Sequence, residues 1–267
     1  MDSSTPSNRS NERQDRLTSM AELVLKNGSM SVDELTVRYP VSAMTIYRDL
    51  AELERLGIIT RTHGFVSARA TSFTEASASF RKGLNSAIKS ALAERAAEEI
   101  EAGATIMIDD STTSLAMVPF LPSRGPLTLI THSQAVAQEA TALSSLNLFV
   151  TGGMYRPEFE SMYGSTTVSN LRTLRADICF MSTTALVGGE LFHPLQANAD
   201  VKQAMLASSA VSVLLADHSK FGHTATYRVA SVAEFDIVIV DEGAPAEEIG
   251  IMKEAGATVI SVATGSL

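Results

Sequence analysis

Hydroxyl-bearing residues stand together with aspartates at one point of the chain and with a histidine at another, each directly after a short apolar run. The first group is Asp109-Asp110-Ser111-Thr112-Thr113, and the second is Thr131-His132-Ser133. At the start of a helix, such hydroxyls and the backbone amides of the first turn form a site for an anion such as phosphate. The same residue types are the preferred N-caps of ordinary helices, so these motifs leave phosphate binding and plain capping both open.

Glycines and lysines further along the chain could complete such a site. Gly152-Gly153 follows a third apolar run, where glycine lets the backbone approach a ligand, and Tyr163-Gly164 could act likewise. Lys202 and Lys220 could supply positive charge to a phosphate. The simpler interpretations are a turn for each glycine motif, a solvated surface position for each lysine, and a hydrogen-bonding structural role for His132.

Seven short apolar runs predict the buried strands that would carry these groups. They cover residues 105–108, 127–131, 146–151, 178–182, 211–216, 237–241 and 258–263, and helical patterns lie between most of them. Strands that alternate with helices predict βαβ units and a mainly parallel sheet. Because ligands bind beyond the carboxyl ends of the strands in such sheets, the candidate groups are expected at one edge of the sheet.

A motif of a different kind lies near the N-terminus. Ser31 and Glu34 have the spacing of a capping box, and Ser42 can cap a further amphipathic helix that ends at Gly57. A short helix, a tight turn and an amphipathic helix predict a helix-turn-helix. The following segment, Ile58–Val66, predicts a β-hairpin of the kind called a wing.

The predicted helix-turn-helix has residues suited to double-stranded DNA. Its last helix would enter the major groove, where side chains contact base edges and phosphates. The residues expected at this interface are Ser31, Ser42, Met44, Thr45, Tyr47, Arg48 and Arg55 of the helices, with Arg61 and His63 of the wing. The alternative is that three small helices form only a structural cap whose charges are solvated.

The uneven distribution of charge is compatible with a DNA partner. The net charge is −9, but residues 1–70 carry nine basic and nine acidic residues, whereas residues 71–267 carry twelve and twenty-one. DNA affinity depends on a local basic face and not on the sum over the chain. An acidic second domain would disfavour non-specific binding and leave recognition to a small, oriented element.

Length and composition predict a two-domain protein. The chain has 267 residues, of which 45% are hydrophobic and 19% charged, as is ordinary for globular proteins. We expect a winged helix-turn-helix over residues 12–66, a small-polar linker over 67–86 and an effector-sensing α/β domain over 87–267. The single Cys179 excludes an internal disulfide framework. Since no apolar run suits a signal peptide or a membrane span, a cytoplasmic protein without a membrane partner is expected.

The N-terminal motif resembles the DeoR family of bacterial transcriptional regulators. The stretch Val41–Gly57 is close to the family's VS..TIRRDL..LE..G, and Arg61–Gly64 is close to its RxHGG. Tyr47 stands where the family usually has Arg, and Phe65 stands where it usually has the second Gly.

The second part of the chain resembles the sensor domain of the same family. The family pattern is close to LDSGTT, VTNS, GG, D..F.G, VK and D.SKFG. In this sequence the matching segments are, in order, Asp109–Thr113, Thr131–Ser133, Gly152-Gly153, Asp177 with Phe180, Val201-Lys202 and Asp217–Gly222. Ser111 stands where the family usually has Gly, and His132 stands where it usually has Asn. Thr184-Ala185 stands where the family usually has an acidic or polar residue together with Gly.

The resemblance implies a sensor domain similar in fold to sugar-phosphate isomerases such as ribose-5-phosphate isomerase. It also implies a repressor of carbohydrate-metabolism genes that a phosphorylated sugar or related metabolite controls, without catalysis. The five histidines are scattered along the sequence, so no metal site is expected, and no cofactor is expected either. The partners would be operator DNA and the small-molecule effector. Because two half-sites need at least two copies of a helix-turn-helix, a homo-oligomer is expected.

Two other functions remain open on the residues. One is a sugar-phosphate isomerase with an appended helical domain, whose chemistry needs a general base, normally a carboxylate. Thr183 and Thr184 occupy the place where the isomerases have acidic residues, which leaves Asp109, Asp110 or Asp177 as candidate bases. The other is a structural adaptor, which would leave the arginines of the predicted recognition helix and wing without a role.

Overall fold

Apolar side chains at helical spacing bring the first helices together in a unit that ends at Asn85. The computed structural model describes residues 6–68 and 78–264. Its first elements are α1 (Pro6–Asn27), β1 (Ser29–Ser31), α2 (Val32–Arg38), α3 (Ala43–Arg55), β2 (Ile59–Thr62), β3 (Phe65–Ala68) and α4 (Ala78–Gly83). Leu17 of α1, Leu35 of α2 and Leu50 of α3 are buried in their common core.

Local caps fix where α2 and α3 begin. Ser31 Oγ accepts a hydrogen bond from Glu34 N at 3.1 Å, and the Glu34 side chain accepts one from Ser31 N at 2.8 Å. Ser42 Oγ accepts a hydrogen bond from Thr45 N at 3.2 Å. The strands form a small antiparallel sheet in the order β1-β3-β2. The predicted helix-turn-helix and wing are confirmed, and β1 adds a third strand that was not predicted.

One buried carboxylate joins α3 to α1. Asp49 is 1% exposed, and it accepts hydrogen bonds from Arg16 Nε at 2.7 Å and Arg13 Nε at 3.4 Å. A buried charge is tolerated only when it is paired and hydrogen-bonded. The placement of α3 against α1 therefore depends on this ion pair as well as on the apolar core.

The segment predicted as a linker, residues 67–86, contains regular structure where it is described. Ser67 lies in β3, and α4 follows the undescribed residues 69–77. Phe80 of α4 is 3% exposed and packs in the N-terminal core. Asn85 N donates to Glu22 Oε1 at 2.7 Å. The segment is rich in small polar residues, which is typical of a linker. The helix was therefore not predicted, because only one aromatic side chain, Phe80, anchors it in the core.

The second unit begins at Ser86 and alternates strands with helices. Its elements are α5 (Ser86–Ala97), β4 (Thr105–Ile108), α6 (Thr112–Leu115), β5 (Leu127–Thr131), α7 (Gln134–Ala140), β6 (Leu146–Val150), β7 (Met154–Arg156), β8 (Ser161–Tyr163), α8 (Ser165–Arg172), β9 (Ala176–Ser182), β10 (Ala185–Val187), β11 (Glu190–His193), α9 (Gln196–Ala207), β12 (Ser209–Ala216), β13 (Tyr227–Ser231), β14 (Ile237–Asp241), α10 (Ala246–Glu254) and β15 (Thr258–Val262).

Seven of these strands form one parallel sheet in the order β15-β14-β12-β9-β4-β5-β6. Alternate side chains of the central strands enter two apolar cores, one on each face of the sheet. Phe180 of β9 and Ile106 of β4 are buried on one face, and Cys179 and Met107 are buried on the other. The predicted α/β fold with a mainly parallel sheet is confirmed.

Two small antiparallel units were not predicted. The strands β7 and β8 form a hairpin, and β10, β11 and β13 form a three-stranded sheet. The strands of these units are three to five residues long. A periodic pattern is hard to distinguish over so few residues. The hairpin nevertheless matters, because it brings Tyr163 to the carboxyl edge of the parallel sheet.

Replacing Asp49 with Asn should loosen the N-terminal unit. The substitution removes the charge that Arg16 and Arg13 share, and hydrogen bonds to charged groups are worth about 1.5–3 kcal/mol. We expect faster amide hydrogen exchange in α1 and α3, measured by mass spectrometry on the full chain. The control is Asp15→Asn, because Asp15 is exposed on α1. Unchanged protection in Asp49→Asn would show that the apolar core alone positions α3.

Candidate functional site

Two consecutive aspartates at the carboxyl end of β4 form the centre of a buried polar cluster. Asp109 is 0% exposed and Asp110 is 7% exposed. Lys202 of α9 forms an ion pair with Asp109, and its Nζ lies 3.8 Å from Asp110 Oδ1. Lys202 Nζ also donates to the Ser182 carbonyl at 2.9 Å. These partners explain how a lysine can be buried on the inward face of a helix.

Asp110 has further polar partners besides Lys202. The Tyr163 hydroxyl donates to it, Asn198 Nδ2 lies 3.0 Å from its Oδ2, and His132 Nε2 lies 3.5 Å from its Oδ1. Burial by itself raises the pKa of Asp110, but nearby His132, the Lys202 charge and the Tyr163 hydroxyl outweigh burial and hold that pKa well below its usual range. Asp110 is therefore a carboxylate at neutral pH, suited to accept hydrogen bonds and poorly suited to take up a proton.

The hydroxyls that precede α6 and α7 act as helix caps. Ser111 Oγ accepts a hydrogen bond from Ser114 N at 3.0 Å, and Ser133 Oγ accepts one from Val136 N at 3.3 Å. Thr131 Oγ1 is also occupied, because it donates to the Ile108 carbonyl at 2.8 Å. The capping interpretation therefore applies to these two serines. Thr112 and Thr113, both buried, are the remaining hydroxyls of the first motif.

A second charged group borders the same segment. Lys89 of α5 is 4% exposed, and its Nζ donates to Thr112 Oγ1 at 3.0 Å. Asp217 follows β12 and is 0% exposed, and Lys220 Nζ lies 3.6 Å from its Oδ2. Burial raises the pKa of Asp217, but the charges of Lys220 and Lys89 and the hydrogen bonds of Ser219 lower it to about 2.

The predicted glycines shape the hairpin that carries Tyr163. Gly153 has φ 126, and a Cβ atom there would lie 2.0 Å from Thr167 Oγ1 and 2.8 Å from the Tyr163 carbonyl oxygen. The Gly152 carbonyl accepts a hydrogen bond from Thr167 Oγ1 at 2.8 Å. Gly164 has φ 95 and is the residue before α8. These contacts support the turn interpretation of both glycine motifs.

Most predicted effector residues meet at the carboxyl edge, where β4, β5, β9 and β12 end. Asp177 does not, because it begins β9 and its Oδ2 accepts a hydrogen bond from Thr105 N at 2.8 Å at the amino edge. As a candidate base it was wrong. Sequence reasoning missed Asn198 and Lys89. Lys89 and Leu92 belong to the same buried face of α5. A lysine on an otherwise apolar helix face was therefore the sequence feature that could have identified Lys89 as a candidate site residue.

Three buried side chains around the cluster have polar atoms with no hydrogen-bond partner among the described residues. They are His132 Nδ1, Ser182 Oγ and Asn198 Oδ1, whereas His132 Nε2 already faces Asp110 Oδ1 at 3.5 Å. Buried polar atoms are nearly always hydrogen-bonded, so such a group calls for a partner. The hydroxyl or carbonyl groups of a small polar ligand can supply it, which favours a binding role for this edge of the sheet.

The exposed face of α3 contains the predicted base-contacting residues. Met44 is 63% exposed and Tyr47 is 49% exposed, and Arg48 is exposed beside them. Arg48 forms no ion pair with any described residue. Ser42 Oγ lies 2.9 Å from Thr45 Oγ1, so the two hydroxyls share a hydrogen bond at the helix start. This face of α3 therefore presents exposed apolar side chains together with Arg48, a cation without an ion pair among the described residues.

The other predicted DNA-contacting residues already have partners. Ser31 donates its hydroxyl hydrogen to Glu34 at 2.9 Å. Arg55 pairs with Glu52 at 2.6 Å, and Arg61 pairs with Glu54 at 2.7 Å. To contact phosphate, each of the two arginines must break its ion pair with the glutamate or bind the glutamate and the phosphate at the same time.

The wing accommodates Phe65 without strain. The left-handed turn positions are His63 with φ 49 and Gly64 with φ 82, as in a type I′ hairpin turn. Phe65 comes next and already belongs to β3, paired with Thr62. Glycine's conformational freedom is therefore not required at position 65, and the Phe65 ring is 57% exposed near the tip.

Two family models match the chain. A model described as DeoR-like helix-turn-helix domain matches residues 16–71, and a model described as DeoR C terminal sensor domain matches residues 84–242. The chain belongs to the DeoR family of transcriptional regulators. The resemblance carried by the motifs is confirmed for both parts of the chain.

Relatives of this DeoR-family chain match over nearly their whole length. The glycerol-3-phosphate regulon repressor of Escherichia coli K12 is 28% identical over 90% of this chain and 95% of its own. The HTH-type transcriptional regulator GlpR of Haloferax volcanii is 31% identical over 92% of this chain and 96% of its own. A ribose 5-phosphate isomerase A structure from Methanocaldococcus jannaschii is 16% identical and superposes with a TM-score of 0.39 over 51% of this chain and 55% of that one.

In the described part of this DeoR-family chain, no three histidine, cysteine or carboxylate side chains are grouped so as to hold a metal ion. No described helix is long and apolar enough to cross a membrane. Cys179 is buried in β9, and burial raises the pKa of its thiol to about 11, so it is an unreactive core residue.

The Asp217 carboxylate should make the stability of the sensor domain depend on pH. Its pKa is about 2 in the folded chain, against roughly 3.9 when unfolded, so the ionised form contributes about 2 kcal/mol above pH 5. That contribution is lost as pH falls from about 4 to 2. Urea unfolding of Asp217→Asn should therefore show the full deficit at pH 7 and about half of it at pH 3.

Asp200→Asn is the matched control, since Asp200 is exposed on α9. A deficit in Asp217→Asn that is equal at both pH values would mean that packing, and not charge, is what the substitution removes.

Proposed function

We propose that this DeoR-family regulator is a repressor of carbohydrate-metabolism genes that a phosphorylated sugar or related metabolite releases from its operator. The observation that carries the effector part is the buried cluster around Asp109, Asp110 and Lys202. Its unpartnered polar atoms lie at the carboxyl edge of a parallel sheet, the usual ligand-binding edge of this fold class. The helix-turn-helix supplies the DNA-binding part.

Different residues on the exposed face of α3 are suited to contact the bases and the phosphates of DNA. The exposed side chains of Met44 and Tyr47 can contact base edges, including the methyl group of thymine. Arg48 is suited to phosphate, which contributes affinity without sequence information. The wing, with Arg61 and His63, would add contacts to the neighbouring backbone.

A phosphate group fits the segment that follows Asp110. The Lys89 ammonium donates to the Thr112 hydroxyl, and Lys220 Nζ lies 3.6 Å from Asp217 Oδ2. A cation beside hydroxyl groups is suited to phosphate oxygens. The hydroxyls of a sugar would then satisfy the polar atoms of His132 and Asn198. The related repressor of Escherichia coli is named for a glycerol-3-phosphate regulon, which is consistent with this ligand class.

The alternative of an isomerase is less well supported. A general base must take a proton, but the pKa of Asp110 is held well below its usual range, and Asp109 is paired with Lys202. Thr183 Oγ1 donates to the Ala185 carbonyl at 3.0 Å, so it serves local structure. The family consists of regulators, and a carboxylate cluster locked in this way is suited to binding rather than turnover.

The proposal includes a homo-oligomer that acts in the cytoplasm, where its DNA partner lies. Operators read by helix-turn-helix proteins consist of two half-sites, which two copies of the same unit contact. An effector that favours one arrangement of the sensor domains would change how well both helix-turn-helix units fit.

Titration with effectors tests the proposal. Fluorescence anisotropy of the full chain on its own upstream DNA should show tight binding that one sugar phosphate weakens and the corresponding free sugar does not. Lys89→Met should retain DNA binding but lose the response, because the cation facing Thr112 is gone. Lys253→Met is the control, since Lys253 is exposed on α10. An equal response in Lys89→Met would contradict this phosphate placement, and absence of any specific DNA binding would contradict the regulator itself.

Substitutions in α3 should separate affinity from specificity. Arg48→Ala should weaken binding to operator and random DNA alike and reduce the salt slope by about 1. Tyr47→Ala should cost roughly 1–3 kcal/mol on the operator and little on random DNA, because its contact is to a base. Both follow from anisotropy titrations at several salt concentrations, with Arg175→Ala in the sensor domain as control. A Tyr47→Ala variant that keeps full discrimination would place base recognition elsewhere.

A further inference from the structure

The exposed apolar side chains of the sensor domain are concentrated at one edge of its sheet. Among its described residues, six large hydrophobic side chains are exposed, and four of these lie between residues 149 and 155. They are Phe149, Val150, Met154 and Tyr155, with exposed fractions of 44, 36, 64 and 43%. Apolar patches of this kind mark interaction surfaces.

The backbone of β6 is open along the same edge. β6 is the last strand of the parallel sheet, and β5 is its only partner among the described strands. Thr151 N donates to the Thr131 carbonyl at 3.0 Å, on the β5 side. Because backbone groups alternate along a strand, the amide and carbonyl groups of Leu148 and Val150 point to the open edge. Such an edge is a template for pairing with another strand.

β6 and the turn that follows it lack the charges that keep strand edges apart, and the first charged residue beyond them is Arg156 at the end of β7. No Asp, Glu, Lys or Arg occurs from Ala140 to Tyr155, although 19% of the chain is charged. Monomers protect open strands with charged side chains, lysine above all. The opposite edge strand, β15, contributes no exposed large hydrophobic side chain to the described surface. The β6 edge therefore has the composition of a covered surface.

A second copy of the chain fits this edge better than an unrelated protein. Each copy has a net charge of −9, so contact between two copies is least opposed across a face that holds no charge, and residues 140–155 supply one. A single strand edge is self-complementary, because two copies can pair antiparallel about a twofold axis. A helix-turn-helix that reads two half-sites also requires a second copy.

We propose that β6 pairs with β6 of the partner subunit, joining two parallel sheets into one, with Phe149, Val150, Met154 and Tyr155 packed at the junction. The choice of a second copy rests on the proposed regulator function, but the open, uncharged edge does not. Leu148, the middle residue of β6, would exchange backbone hydrogen bonds with Leu148 of the partner subunit.

Sedimentation velocity of the full chain over a range of concentrations tests this interface. Val150→Lys should raise the dissociation constant of the dimer by about tenfold or more, because pairing centred on Leu148 places position 150 opposite Leu146 of the partner subunit, where an ammonium group would lose water without gaining a charged partner. Val187→Lys is a matched control, since Val187 is also a strand valine at a sheet edge and is 38% exposed. It should associate like the natural chain.

Met154→Lys provides a second variant whose folding is not at risk, because its side chain is 64% exposed. A natural chain that is monomeric at all concentrations, or lysine variants at 150 and 154 that associate normally, would overturn the proposal. Affinity for DNA that contains a single half-site tests the regulator function separately from the β6 interface. Val150→Lys should keep half-site affinity, whereas a natural chain that dimerises through this edge but binds no DNA would contradict only the regulator function.

Discussion

The buried charges of Asp109, Asp110 and Lys202 constrain the carboxyl edge of the sensor domain more than any other interaction. An unpaired charge in this interior would cost several kcal/mol, so each element must end where the charges can meet. The end of β4 supplies the two carboxylates, α9 supplies the ammonium, and the end of β9 supplies the Ser182 amide and carbonyl that complete it. Small shifts of α9 or β9 would break contacts that apolar packing alone would tolerate.

This constraint gives the cluster a way to act on distant surfaces. Tyr163 donates to Asp110 and lies on β8, whose partner strand β7 carries the exposed Met154 and Tyr155. A ligand that competes for Asp110 would release Tyr163 and shift the hairpin. Coupling of this kind needs only that the ligand favour one of two hairpin positions, and its strength equals that difference in affinity. A tightly bound ligand without such a preference would change nothing.

The sequence predicted the strands of the parallel sheet and most candidate site residues, but it did not predict every residue of the buried cluster. Parallel strands buried on both faces are continuous apolar runs, so all seven were located. The candidate site residues were located because caps and glycines follow those runs. Asn198 and Lys89 were missed because long-range packing brings their helices to the edge. The hairpin of the wing was predicted correctly, but only the backbone torsions show that Gly64, and not position 65, needs glycine's conformational freedom.

The DNA-binding unit balances attraction to DNA against its own carboxylates. Glu52 and Glu54 hold Arg55 and Arg61, so those cations neutralise phosphates only after giving up ion pairs at the same surface. Arg48 is the cation on the α3 face that has no such competitor among the described residues. Since non-specific affinity scales with the phosphates neutralised, one copy of this unit should hold random DNA weakly. For the proposed operator of two half-sites, occupancy then depends on two copies binding together, which ties regulation to whatever positions the two sensor domains.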